Sequence, residues 1–514
     1  MALMSSDSAA PTPLTRIVGR LEPFIAARLR ESAYTVLHGV DPRSLLTWNR
    51  LDLGLKLITL GALETCGEYA VEVYEHDIRS QTLGRFVEFG DERKSGLDRY
   101  LSDFLSISSS IRRNGFDPQR TLIPVAADGS ILNGAHRVAA AVYAQEPVSV
   151  VLTELPPIVC DYRYFLQRSV PSDLVYEAAY TLLKWGENNY VAFLWPSGIE
   201  HLSTTEPLVK RVVMKRTLTL SEVGAFNVLH ELYGHTAWIG DATSGYPGLK
   251  QKRFECFPPQ KPKRATVIAF QADSLLAVQA VKENVRSICG IGFSSVHVTD
   301  TKLEALGVAG LVFSENGTHF LNHANPRRFG TVERVQAHIP VLRDVQMQRD
   351  DVLIDGSGTL ELYGVRRADD IDGFHDTRLA PPGAAPLGGD VLHARDEQLQ
   401  YHGTSRGHLM ADHRYWFRYA RAKFVSLEQL AAMKRNRGEP KDHVDLALID
   451  AYIRPRGRLP TLLMTFRYRL TYLAHRARPR AFELAKAVLL RLGLLETARA
   501  AYRRAFKKAP SMEP

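Results

Sequence analysis

The chain has 514 residues, 24% of them charged and 45% apolar, with a formal charge of +9 and an isoelectric point near 9.2. That balance belongs to globular proteins and excludes collagenous, disordered and membrane-spanning classes; no apolar run reaches the roughly eighteen residues of a transmembrane helix. A length of this order divides into about three domains of usual size, and the surplus of cations permits nucleotides, nucleic acid or anionic lipid as partners without choosing among them.

Cys66, Cys160, Cys256 and Cys289 are far apart and lack metal-ligand spacing. They predict a reducing, cytoplasmic setting with neither a disulfide framework nor a zinc cluster. The opening MALMSSDSAAPTPLTR has no basic n-region and no apolar h-region, so residues 1–13 read as a disordered lead rather than a secretory signal.

Residues 14–100 are mostly helical in pattern, with apolar residues at i, i+3 and i+4 through LEPFIAARL and LDLGLKLITL. The next block is more informative. A helix ends at Asn114-Gly115, IPV is a short strand, Asp128-Gly129 a hairpin turn, Ile131-Leu132 a return strand, and Gly134 opens another helix. Gly134, His136 and Arg137 then sit at a helix N-terminus, where free backbone N–H groups and the macrodipole favour an anion and Arg137 adds a fork for phosphate oxygens. The alternative is a plain turn and helix cap.

Residues 102–151 resemble the ParB and sulfiredoxin superfamily, whose corresponding Gly-x-x-Arg segment contacts nucleotide phosphate. Its members include DNA-partition CTPases and small-molecule kinases such as the free-serine kinases. The resemblance implies a nucleotide-binding or small-alcohol kinase domain over residues 14–155. The arginine-rich box of the DNA-segregation branch is absent and no helix-turn-helix follows, which disfavours DNA as the partner.

Residues 156–256 form a mixed region whose aromatics suit a core. Within it HELYGH, His230 to His235, lies on a stretch read as helical from Leu220 to Trp238. Histidines five apart are offset by about 140° beyond a full turn, which opposes a shared zinc on a regular helix. The hexamer does match the HExxGH motif of a metallopeptidase family resembling dipeptidyl peptidase III, but that family's downstream paired glutamates are incomplete in LETARA.

FPPQKPKRA, rich in Pro and Lys, reads as a linker over residues 257–264. An α/β pattern follows: TVIAF a buried strand, SLLAVQAVKENVRSI an amphipathic helix, SSVHVTD a strand, EALGVAGLVFSE a helix, and HFLNHANP a return toward the sheet. His297, Thr299 and Asp300 fall at a strand's C-terminal end, where ligands sit in α/β sheets, or else Asp300 caps the next turn. KENVRSICGIGFSSVHVTDT and THFLNHA look like proteins of bacterial surface-polysaccharide loci.

The stretch DVLIDGSGTLELYGVRRADDIDGFHD carries the main chemistry. A strand enters Gly356-Ser357-Gly358, whose backbone can approach a polyphosphate, and Asp370 and Asp372, two apart on an extended segment, converge on one point suited to Mg²⁺. Ordinary turn acids are the alternative. Gly356-Ser357 followed by Asp370-Ile371-Asp372 resembles the nucleotidyltransferase superfamily that includes DNA polymerase β, and the local wording looks like its LicD and fukutin branch, whose members modify glycans with phospho-substituents. Gly373 departs from the apolar residue usual after the second Asp. The resemblance implies a catalytic domain over residues 265–456, Asp370 and Asp372 as metal ligands, Gly356 and Ser357 on phosphate, and a third carboxylate on a later strand. Asp390, Asp396 and Asp412 are candidates for that role; HLMADHRYWFRYARAKFVSL gives Asp412 the best strand context. Lys434, Arg437 and Lys441 then stand where many such domains close, either on phosphate or paired with Asp442 and Asp445.

LAPPGAAPLGGD reads as a loop able to gate the site. Residues 457–514 are basic amphipathic helices that suit an anionic membrane surface or a packing partner. The expected whole is an α/β and α+β multidomain protein: a cytoplasmic enzyme, peripheral at the inner face of a membrane, transferring nucleotidyl or phospho-substituent groups from a nucleotide triphosphate or nucleotide-activated donor, with Mg²⁺, to a small phospho-alcohol or glycan acceptor. The alternatives are a ParB-type nucleotide- or DNA-binding regulator and, more remotely, a zinc peptidase.

Overall fold

The architecture is that of a computed structural model, which describes residues 11–88, 91–335, 352–375, 392–393, 398–453, 484, 486–492 and 494. It is mixed α/β, built on several small sheets. The chain separates into two compact units, residues 1–433 and 434–514. Among the described residues no helix is long and apolar enough to cross a membrane.

The first unit begins with β1 (Val36–Val40), α1 (Asp52–Leu63), α2 (Gly67–Gln81), α3 (Leu97–Asn114), β2 (Ile123–Val125), α4 (Ala135–Ala144) and β3 (Val148–Leu152). The strands align in the order β1-β3-β2, with β3 antiparallel to β1 and parallel to β2. A parallel neighbour requires a crossover, and α4 supplies it. The anticipated return at Ile131 is a single bridge to Val125, and Asp128 closes the turn by accepting from the Ser130 N–H. Strand β1 was not foreseen in a segment read as helical; His38 and Gly39 interrupt its apolar run, which hides the period.

Helix α1 is almost wholly buried, including Lys56, whose ammonium lies 2.6 Å from Asp77 and 3.6 Å from Asp52. Removing one partner of such a buried pair costs about 3–5 kcal/mol. A Cβ at Gly54 would meet the Ala178 carbonyl oxygen at 2.4 Å, so only glycine allows α1 this close to α5 (Ser172–Trp185).

Next come β4 (Asn189–Leu194), β5 (Val212–Thr219), α6 (Glu222–Tyr233), α7 (Pro247–Cys256), β6 (Arg264–Gln271), α8 (Leu275–Cys289), β7 (Val296–Val298), α9 (Lys302–Val312) and α10 (Glu315–His323). The strands form an antiparallel sheet in the order β7-β4-β6-β5. Strand β6 is central and buried from Ala265 to Phe270, which explains its unbroken apolar run. Residues 257–264, read as an interdomain linker, connect α7 to β6 and so join parts of one sheet. HFLNHANP reaches its neighbours as a helix: Ser314 caps α10 by accepting from the Gly317 N–H, and Phe320 stacks on Phe417 at 4.8 Å.

The last sheet comprises β8 (Val352–Asp355), β9 (Asp372–His375), β10 (Leu392–His393), β11 (Trp416–Tyr419) and β12 (Ala422–Val425) in the order β10-β9-β8-β12-β11. Helix α11 (Gly356–Leu362) follows β8, α12 (Leu399–His402) and α13 (Arg406–Ala411) precede β11, and α14 (Leu427–Arg437) follows β12. In the second unit α15 (Pro440–Ile453) is the main described element.

Candidate functional site

Strand β8 pairs antiparallel with β9, and the register sets Asp355 opposite Asp372 and Ile354 opposite Gly373. Directly opposed residues project to the same face of a sheet, so two carboxylates stand side by side at the end of β8, where the chain turns into α11. Gly356 takes φ +61 there, a conformation that favours glycine, and a Cβ on it would lie 3.5 Å from the Asp372 Oδ2. The Gly-Ser turn and the second aspartate of the motif are therefore neighbours in space.

Like charges opposed across a ladder repel unless something compensates. His402 does this on one side: its Nε2 lies 3.0 Å from the Asp355 Oδ2, both groups are buried, and its ring packs edge-on against Phe374 at 5.7 Å. Gln429 donates to the His402 carbonyl oxygen at 2.9 Å and fixes the end of α12. Asp370 and Asp372 are both half-buried and flank the buried Ile371. Asp370 precedes the strand, which begins at Asp372. Ser357 is half-buried in the first turn of α11.

Asp412 occupies a different setting from the one anticipated. It lies between α13 and a short 3-10 turn rather than on a strand, wholly buried, with its carboxylate accepting from the Arg414 N–H and held 2.6 Å from the Arg414 guanidinium. Asp390, Asp396 and the loop LAPPGAAPLGGD lie outside the described residues.

In the second unit, Lys434 is buried 3.1 Å from Asp442 and 2.7 Å from Asp445, while Arg437 reaches Asp442 at 2.7 Å. Burial opposes ionisation of Asp442, yet Arg437 and Lys434 outweigh it and hold its carboxyl at about 2. Of the two readings of this segment, the paired one is realised for Lys434 and Arg437. Lys441 pairs at the surface with Glu439 at 3.0 Å.

At the other end of the chain Gly134, with φ +89, does open α4. His136 Nε2 lies 2.9 Å from the Tyr74 hydroxyl, and its ring packs on Phe104 at 4.7 Å. The Arg137 guanidinium folds back over the Gly134 turn, hydrogen-bonded to Thr121 and Asn133 and 3.6 Å from Glu22. Burial depresses it below its ordinary value, against the pull of Glu22. These contacts give His136 and Arg137 positions in the lobe's own packing.

The HELYGH segment is shorter as a helix than the sequence suggested. Helix α6 ends at Tyr233, Gly234 caps it, and His235 is exposed beyond the end. His230 packs edge-on against Tyr246 at 5.1 Å; burial, with Arg327 nearby, brings its imidazole down to about 4. Among the described residues no three His, Cys, Asp or Glu side chains gather as a metal-holding group. A Mg²⁺ bridged by substrate phosphates takes only one or two carboxylates and keeps waters, so the hard oxygen pair at the β8–β9 edge suits that ion.

No family of proteins, no curated protein and no solved structure matches this chain.

The residues that sequence reasoning missed are Asp355 and His402. Asp355 was legible as an acid closing an apolar strand just before Gly-Ser, at the carboxyl end where sites form. His402 had no local signal, since it comes into contact through a chain reversal of some forty-seven positions.

Proposed function

We propose that the β8–α11–β9 edge is the active site of a phosphoryl- or nucleotidyl-transferring enzyme. The observation that carries this reading is the register of β8 and β9, which opposes Asp355 and Asp372 beside the positive-φ Gly356. Two carboxylates set opposite each other at the end of a strand, beside a Gly-Ser turn, offer the hard oxygen ligands that a divalent cation takes. Asp355 and Asp372 would hold a Mg²⁺, with Asp370 two residues before Asp372 as the further acid of the motif; when bound, the ion would neutralise charge on a transferring phosphoryl group. His402 would act on Asp355 as a positioning residue. Gly356 and Ser357 would meet a phosphate through the backbone of the turn.

A glycan or small phospho-alcohol remains the proposed acceptor class, and a nucleotide triphosphate or nucleotide-activated compound the proposed donor. The proposed setting is the cytoplasm, with a peripheral membrane association through the basic C-terminal region, most of which lies outside the described residues.

The test is a panel of nucleoside triphosphates with Mg²⁺, following pyrophosphate, diphosphate and monophosphate release for the natural chain and for Asp370→Asn/Asp372→Asn. Turnover should fall at least about a hundredfold in the double variant, in keeping with loss of charge stabilisation at a reacting phosphate. Equal turnover would remove the assignment.

A further inference from the structure

A second site lies away from the acidic edge. A cavity of about 1960 Å³ is lined by the end of α6, by the 291–308 segment and by the turn between β11 and β12. Large aromatic faces open onto it. Trp238 is 51% exposed and Phe293 71% exposed, far more than bulky apolar side chains usually are.

Both rings are braced. The Arg286 guanidinium sits 4.4 Å from the Phe293 centroid and covers one face, and the Tyr233 ring meets Trp238 edge-on at 5.4 Å. A Cβ at Gly248 would fall 2.2 Å from the Trp238 carbonyl oxygen, so this glycine lets α7 hold the Trp238 backbone in place. Rigid flat surfaces with one face open are stacking platforms.

Glu231 lines the same cavity. Its side chain is partly exposed on the cavity, and among the described residues no hydrogen bond or ion pair reaches its carboxyl. Burial pushes it up to about 7, so near neutrality it is an even mixture of hydrogen-bond donor and acceptor. Its Oε1 lies 3.4 Å from where a Cβ would stand on Gly307. Glu304, another acid of the lining, is set apart: despite burial, His297 and the Asp300 N–H hold it below the usual carboxylate range.

Of the cations lining the cavity, which also include Lys184, Lys252 and Arg421, three are taken up by the protein's own acids. Lys282 is paired with Asp300 at 2.5 Å, Arg286 with Glu283 at 2.7 Å and Arg418 with Glu177 at 2.6 Å. Cations neutralised by the protein's own acids attract a polyanion weakly. Flat apolar platforms in one cavity with a carboxyl that can both donate and accept suit a ligand that has a C–H face and in-plane hydroxyls.

We propose that this cavity binds a neutral saccharide, with a sugar ring stacked on Trp238 or Phe293 and a ring or glycosidic oxygen against the Glu231 carboxyl. The site stands on its own observations and does not depend on the transferase reading.

The test titrates the full chain with maltotriose, cellotriose and tri-N-acetylchitotriose at up to roughly millimolar concentration, with adenosine and trialanine as contrasting ligands, by calorimetry and tryptophan fluorescence. At least one trisaccharide should saturate, and Trp238→Ala or Phe293→Ala should weaken it about tenfold, the magnitude of one aromatic stack. Glu231→Gln should remove the pH dependence of that affinity between about pH 6 and 8. Both rings are exposed, so these variants keep the fold, and unfolding curves verify it. The proposal is overturned if no trisaccharide binds, if binding is indifferent to both ring truncations, or if adenosine or trialanine alone occupies the site.

Discussion

Replacing Glu231 by glutamine should stabilise the protein by an amount that grows as pH rises from about 4.5 and levels off above about 7. Burial raises this carboxyl from its ordinary 4.5 to about 7. A raised carboxyl pKa means that the folded chain holds the proton more tightly than the unfolded chain. Below about pH 4.5 both states are protonated and the group is neutral in its effect; between about 4.5 and 7 the unfolded chain ionises first and stability falls; above about 7 the full penalty applies. The displacement corresponds to about 3 kcal/mol, and glutamine, of similar shape, never carries the charge. The difference in unfolding free energy between Glu231→Gln and the natural chain should therefore widen by about 2–3 kcal/mol from about pH 5 to about pH 8.5. Other titrating groups are shared by both proteins and cancel. Urea unfolding followed by circular dichroism across that range measures it. Parallel curves, or a variant that loses stability at about pH 8.5, would refute the argument that partial burial without a paired cation raises Glu231.

Three further outcomes follow from packing. His402→Ala leaves the buried Asp355 without its imidazole partner opposite Asp372, and the urea midpoint should drop by the equivalent of about 3 kcal/mol. Lys434→Met should lower stability by a similar amount, about 3 kcal/mol by urea unfolding, because Asp442 and Asp445 are then buried with one cation fewer. The two-residue turn Ala420-Arg421 places both residues at positive φ, 48° and 66°, where Asn-Gly is the usual choice. Arg421→Gly should raise the thermal midpoint, with a gain near 1 kcal/mol.

The parts of the fold that could be read from the sequence are those whose determinants are local. TVIAF announced a buried strand, Gly134 announced a helix start, and Asp128-Gly129 announced a turn. What could not be read was long-range pairing. Nothing in FPPQKPKRA says that the strand after it lies between strands formed some fifty and seventy positions earlier, so a Pro- and Lys-rich turn passed for a boundary. The same holds at the site. Gly356, Ser357 and Asp372 were found because they share one short motif, whereas the pairing of Asp355 with His402 depends on where α12 returns. Asp412 was misplaced because the apolar run that follows it, from Trp416 to Val425, does form strands, while Asp412 itself stops just short of them to cap a turn with Arg414. HELYGH drew notice for the spacing of its histidines, yet its unusual environments are those of His230 and of the adjacent Glu231, both shifted by burial.

Divalent-cation binding tests the central assignment most directly. Mn²⁺, in the presence of a non-hydrolysable nucleoside triphosphate, can be titrated into the full chain and followed by electron paramagnetic resonance. The acidic-edge account predicts that the natural chain captures the ion with the nucleotide, and that Asp372→Asn and Asp370→Asn lose this capture while their circular dichroism stays unchanged. Undiminished Mn²⁺ binding in both folded variants would contradict it.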